Sequence, residues 1–198
     1  AAAREADLVV VVVGDRAGLF GRGTVGEGND VDDLELPGIQ RRLVEEVVAA
    51  GAPVALVVLS GRPYAIGWAL DGETAPAAVV QAFFPGEEGA DAIAGVLSGR
   101  IVPSGRLPVS LPRSAGAQPY SYLHPRLGGP SEITSADPTP VRPFGFGLSY
   151  TTFVRDALSA PAQSPTAGAF EVSVTVRNTG AVTSDDVVRH PLVARIIK

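Results

Sequence analysis

Glu27 stands between two glycines, in Gly26-Glu27-Gly28-Asn29-Asp30. A carboxylate flanked in this way has a freely shaped backbone and no neighbouring side chain to shield it, so it can be pushed into a cleft. A general acid needs that placement, together with enough desolvation to raise its pKa toward working pH. A solvated acidic loop would use the same residues, and spacing alone leaves the two readings even. The surrounding stretch, residues 14–37, reads GDRAGLFGRGTVGEGNDVDDLELP. It carries Asp15, Arg16, Arg22, Asp30, Asp32 and Asp33 beside Glu27, is rich in glycine, and shows no apolar periodicity. A loop this long inside a compact domain is usually functional or disordered. A plain connection would not need this mixture, so we read it as the site-bearing loop.

Other chemistries fit less well. Gly21-Arg22-Gly23-Thr24-Val25-Gly26 matches GxGxxG, a dinucleotide pattern. Its glycines do not open a helix directly after a strand, and the acids that follow would repel a pyrophosphate. Asp30, Asp32 and Asp33 lack the DxDxDG spacing of a calcium loop. Asp32, Asp33 and Glu35 lie ahead of a helix N-terminus, where its dipole favours acids. The chain has no Cys, which excludes disulfides and thiolate metal sites, and only His124 and His190. We expect no metal and no cofactor. His124, in an aromatic coil with Tyr120 and Tyr122, reads as structural. The net charge of -5 is spread along the chain, which argues against nucleic acid, whose phosphates call for clustered Lys and Arg. No apolar run approaches the roughly 18 residues of a membrane span.

These residues need a scaffold, and the apolar pattern predicts one. Residues 7–13 are a continuous β-branched run, as in a parallel strand covered on both faces. Pro37 then precedes a helix in which Ile39, Leu43, Val47 and Val48 recur, closed by Gly51. Residues 54–59 read as a second buried strand, 64–70 as a short helix, 78–84 as a third strand and 87–97 as a third helix. Residues 105–110 read as a short strand, kept to an edge by Pro108. Such alternation predicts an α/β fold, a three-layer α/β/α sandwich with a mostly parallel sheet. Ligands then sit at the carboxyl ends of strands, where the 14–37 loop and Ser60-Gly61-Arg62-Pro63 lie. Arg62 fits an ion pair within the domain better than a substrate clamp. Residues 112–145, rich in Pro and Gly, should wrap the domain as coil or link it onward. Residues 155–168 read as a linker. The strict alternation at 170–176 opens an antiparallel unit too short to complete a β-sandwich. With 198 residues, no Met and both ends looking cut, the chain reads as a soluble piece of a longer protein, cytoplasmic or secreted.

Several separated stretches together resemble glycoside hydrolase family 3, which includes β-glucosidases and β-xylosidases. They are VVVVVGDRAGLFGRGTVGEGNDVDDLELPGIQRRLVEEV, VVLSGRPYAIGWAL, AFFPGEEGADAIAGVLSGRIVPSGRLPVSLPRS, PYSYLHPRLGG and PFGFGLSYTTF. The resemblance covers about residues 7–180 and places 1–154 in the α/β sandwich domain. It makes 155–168 a linker and 169–198 the truncated start of a fibronectin type III-like β-sandwich. Arg189-His190-Pro191 departs from the family pattern. The resemblance implies a retaining, exo-acting mechanism on terminal β-linked sugars, with two carboxylates. The nucleophilic Asp would come from a preceding TIM-barrel domain of the same chain, and the acid/base from this loop, where Glu27 matches it. Arg22 and Asp30 are then its substrate-binding neighbours. A β-glucoside or β-xyloside is the expected partner, with no nucleic acid and no membrane. The rival reading is a non-catalytic carbohydrate-binding or scaffolding module, in which Glu27 is a solvated acid or holds sugar hydroxyls.

Overall fold

A computed structural model describes residues 2–117, 132–133, 135, 137–163 and 168–188. His124, Tyr120, Tyr122, His190 and the departure at 189–191 lie outside the described residues. A single turn, α1 (Ala2–Glu5), precedes β1 (Val9–Gly14). Then come α2 (Gln40–Ala49), β2 (Val54–Leu59), α3 (Gly67–Asp71), β3 (Ala78–Gln81) and α4 (Gly89–Leu97). The three strands form one parallel sheet in the order β1-β2-β3. The fold is α/β, and strands 9–14 and 54–59 are adjacent and parallel, as the two β-branched runs predict.

Register places Val9, Val11 and Val13 beside Val54, Leu56 and Val58 on one sheet face. These pack with Val44, Leu36, Tyr64, Ile66 and Ala69 into the core. Val44, Leu56 and Val58 are fully sealed from solvent. Burying one such side chain stabilises by about 1.5–3 kcal/mol. The helix face turned inward is Val44, Val47 and Val48, not the stripe starting at Ile39 and Leu43. Ile39 lies before the first helical turn and, like Leu43, stays exposed. Gly51, at φ 102, ends the helix as expected, its amide reaching Val48 O at 3.0 Å.

The opposite face departs from expectation. Ala55 and Val57 are buried there, but Val10 and Val12 of β1 are 46% and 56% exposed. Among the described residues β1 is therefore covered on one face and has neighbours on one edge only. An unbroken β-branched run cannot distinguish this from two-sided burial.

β3 stops at Gln81 instead of running to 84 because Phe83 takes a positive φ of 53, which turns the chain out of the ladder. Residues 105–110 form no strand. Pro108 donates no amide, and the segment makes scattered bonds: Leu107 N to Phe146 O at 2.8 Å, Gly145 N to Leu107 O at 2.7 Å and Phe144 N to Ser110 Oγ at 2.9 Å, with an isolated antiparallel bridge just beyond it at Leu111 and Arg142. Arg142 also forks onto Asp71 of α3 at 2.8 and 3.1 Å, so this part of the coil returns to the α/β unit. The segment read as a linker is strand at its start. β4 (Phe153–Ser159) pairs antiparallel with β5 (Ser173–Asn178), with an irregularity between Asp156 and Ser159. Polar and small residues hide β4 in the sequence; its pairing to Ser173 and to Thr175, Val176, Arg177 and Asn178 of β5 defines it.

Candidate functional site

The loop leaves β1 through Gly14. Its φ is 149, and a Cβ there would lie 1.8 Å from Leu59 O, so only glycine fits. Gln40, at the start of α2, clasps the same residue from both sides. Its Oε1 accepts from Gly14 N at 2.6 Å and its Nε2 donates to Gly14 O at 2.9 Å. Strand end and helix start are thereby joined across the whole loop.

Asp15 comes next, still on the sheet: its amide donates to Leu59 O at 2.9 Å. The carboxylate is 3% exposed. A buried charge survives only if donors surround it, and here they do. Oδ2 accepts from Gly61 N at 2.8 Å, and Oδ1 from Thr24 Oγ1 at 3.0 Å and from the Tyr64 hydroxyl. Arg62 Nε lies 3.8 Å from Oδ1. Burial first, and the Asp15 contact second, push the Tyr64 phenol up to about 12.

Arg62 joins this cluster to the loop. Its Nη2 donates to Thr24 O and its Nη1 to Asp30 Oδ1 at 3.1 Å. The reading of Arg62 as an ion-pair partner within the unit holds. Asp30 is correspondingly engaged. The Val31 amide first, and Arg62 second, hold its carboxyl below the usual range.

Asn29 cross-links the tip. Its Nδ2 donates to Gly18 O at 2.9 Å and Glu27 O at 3.0 Å, while Oδ1 accepts from Gly23 N at 2.9 Å. Glu27 O also accepts from Phe20 N at 2.9 Å. The glycines beside Glu27 serve this close crossing. Gly26 has φ 116, and a Cβ on it would come within 2.1 Å of Gly18 O; Gly28 has φ 70. They fix the turn instead of freeing it.

At that turn the Glu27 side chain is exposed. Among the described residues its carboxylate has no hydrogen-bond or ion-pair partner. Arg22 is exposed too, and its bonds among the described residues are backbone ones: its O accepts from Arg16 Nη2 at 2.6 Å and its N donates to Leu19 O at 3.3 Å. Asp33 Oδ1 caps Glu35 N at 2.9 Å, and Glu35 reaches Arg41 at 3.7 Å. These acids lie well ahead of α2 and act through local bonds rather than its dipole. Glu87 and Glu88 are exposed at the start of α4. A cavity of about 280 Å³ lined by Arg106, Phe146, Arg155 and Val187 contains no residue of the loop. Among the described residues no group of three His, Cys, Asp or Glu could hold a metal, and no helix is long and apolar enough to cross a membrane.

Reading the residues alone missed Asp15, Thr24, Tyr64, Asn29 and Gln40 as anchors. Their partners lie up to 49 residues away in sequence. The rule that sites gather at carboxyl ends of parallel strands does point at Asp15 and Arg62 together.

The comparisons with known proteins cover this same region. Residues 1–150 match the family described as the glycosyl hydrolase family 3 C-terminal domain. The chain belongs to this family. It is 41% identical to a β-xylosidase of Formosa agariphila, over 95% of this chain and 25% of that protein. It is 39% identical to a periplasmic β-glucosidase of Salmonella typhimurium, over 90% of this chain and 24% of that protein. Among solved structures it is similar to a β-glucosidase of Erythrobacter marinus, with a TM-score of 0.76, 38% identity, and coverage of 90% of this chain and 24% of that one. The family 3 segment thus spans about a quarter of the length of the relatives it matches.

Proposed function

We propose that this family 3 segment supplies the general acid/base of a retaining, exo-acting β-glycosidase, with Glu27 as that residue. The observation that carries the reading is the presentation of Glu27. A carboxylate without a side-chain partner among the described residues projects from a cross-linked turn at the carboxyl end of a parallel sheet. The relatives, named β-glucosidases and β-xylosidases, support terminal β-linked glucosides or xylosides as substrates.

In the first step Glu27 gives its proton to the glycosidic oxygen as the bond from that oxygen to the anomeric carbon breaks. A carboxylate nucleophile, proposed to come from a barrel domain elsewhere in the same polypeptide, attacks that carbon from the opposite face. In the second step the Glu27 carboxylate takes a proton from water. The water oxygen displaces the nucleophile, so configuration is retained. The two carboxyl groups must then sit about 5–5.5 Å apart. Glu27 is exposed here, so the second domain would also supply the walls that desolvate it.

The test uses the full-length enzyme. Glu27→Gln should lose about 10²–10⁴-fold on substrates whose leaving group needs a proton, the usual worth of general acid catalysis. The loss should be much smaller on aryl glycosides whose leaving group departs unaided. Added azide should speed turnover of these activated substrates, since a small anion attacks the glycosyl-enzyme without base help. Equal losses on both classes, with no azide effect, would make Glu27 a binding or structural residue. The segment alone should release nothing from either class.

A further inference from the structure

We propose that Arg62, seated by the buried carboxylate of Asp15, is a positioning residue for Glu27: it holds the loop at both flanks of the Glu27 turn and so sets where the acid/base sits. The proposal rests on the acid/base reading of Glu27. Thr24 and Asp30 lie symmetrically about Glu27, three residues before it and three after. One guanidinium donates to both, through Nη2 to the Thr24 carbonyl and through Nη1 to the Asp30 carboxylate. A guanidinium is planar with its donors in a fixed fork, so a bond at each end fixes the distance between the flanks.

The fork is itself grounded in the rigid part of the molecule. Arg62 follows β2 closely, and its side chain is only 20% exposed. Its Nε is buried without a hydrogen bond and faces Asp15 Oδ1 at 3.8 Å, so the attraction there is Coulombic. Asp15 in turn is tied to the end of β2 by the Gly61 amide at 2.8 Å and to the loop by Thr24 Oγ1 at 3.0 Å. Glu27 has no side-chain partner of its own among the described residues, so its backbone anchors decide where its carboxylate lies. A general acid must come within about 2.6–3.2 Å of the oxygen it protonates. A displacement near 1 Å, even one caused by a change far from the chemistry, can cost about a hundredfold. An anchor of this kind acts on kcat, not on substrate affinity.

The experiment measures kcat and KM of the full-length enzyme on a poor-leaving-group disaccharide and on an activated aryl glycoside. The variants are Arg62→Lys, Asp30→Asn, Asp32→Asn and Glu27→Gln. Lysine keeps the charge but cannot span both flanks. Arg62→Lys should lower kcat on the disaccharide by about tenfold or more, with far less change on the aryl glycoside and KM nearly constant. Asp30→Asn takes the charge out of one flank bond and so weakens it, on an exposed side chain where folding is not at risk. It should show the same selectivity at about two- to fivefold. Asp32→Asn, outside the fork, should behave as the parent enzyme. A rise in KM at unchanged kcat would make Arg62 a substrate clamp and overturn the proposal. Equal losses on both substrates would overturn it as well, by marking general structural damage. Should Arg62→Lys fail to fold, an Asp30→Asn enzyme indistinguishable from Asp32→Asn would sink it. Selectivity in Glu27→Gln without selectivity in Arg62→Lys and Asp30→Asn fells the positioning role alone. No selectivity in Glu27→Gln fells both.

Discussion

Leu56, Val57 and Val58 of β2 are sealed inside the sheet and need only apolar neighbours and the strand ladder. The loop over residues 15–36 buries a single hydrophobic residue, Leu36, and otherwise holds its shape through directed polar bonds. The first mode tolerates any side chain of suitable volume and fails by losing stability. The second fails by losing geometry, since each bond fixes an atom relative to another far away in sequence. The proposed acid/base role, which asks for one carboxylate to be placed accurately on a glycine-rich loop, calls for the second mode built upon the first.

Hydrogen exchange should separate the two regions most widely. Amides of β2 should open only with global unfolding, whereas exposed loop amides open locally. The ratio should reach about a thousandfold or more for a domain of ordinary stability. Equal protection in loop and strand would erase the contrast.

Point substitutions sharpen it. Leu56→Ala should cost about 2–5 kcal/mol, read from thermal or urea unfolding, because it leaves a cavity in a fully buried site. Glu27→Gln should stay within about 0.5 kcal/mol, since its side chain is exposed and has no partner among the described residues. A stability loss at Glu27 as large as that at Leu56 would mean that the loop tip is packed.

The Tyr64 phenol tests the join between the regions. Its folded pKa is raised to about 12 from 10.0, by burial and then by Asp15. The stabilisation is complete below the unfolded value and drains away as pH climbs through the folded one. Absorbance titration should show one tyrosine ionising about two units late, with Tyr64→Phe removing that component. Early ionisation in the folded protein would loosen the Asp15 cluster.

The smallest effect should come from Asp30. Its folded pKa is lowered, first by the Val31 amide and then by Arg62. Its contribution is present above the unfolded value of 3.8 and is lost as pH falls through the folded one. Urea midpoints of the parent and Asp30→Asn should differ slightly at neutral pH and converge in strong acid. Convergence at neutral pH would remove the flank bond from consideration.

The two modes also explain what could be read from the sequence. The run 54–59 coincides with β2 because apolar continuity is a local signal. Gly51 ends α2 and the glycines mark Glu27 for the same reason. Pairs such as Asp15 with Tyr64, or Arg62 with Thr24, leave no local trace, since neither residue is unusual where it stands. Asp30, a substrate-binding neighbour by the resemblance, also meets Arg62, a pairing 32 residues apart that no local pattern announces. The strand at 153–159 escaped because its pattern is set by its partner, and the Val10 and Val12 exposure because a β-branched run looks alike with one face covered or two.

Leu8, just ahead of β1, and Val10 and Val12 on its open face alternate in a row, each about half exposed, beside a strand edge that is unpaired among the described residues. Such an edge offers free backbone donors and acceptors next to a greasy row, the combination by which strands stick to one another. Purified as 198 residues, the polypeptide should therefore behave as an adhesive, clumping as its concentration rises even though its interior is well packed. A lysine at Val12 would act as a gatekeeper on that row, improving recovery without touching the carboxylate at the far end of the loop.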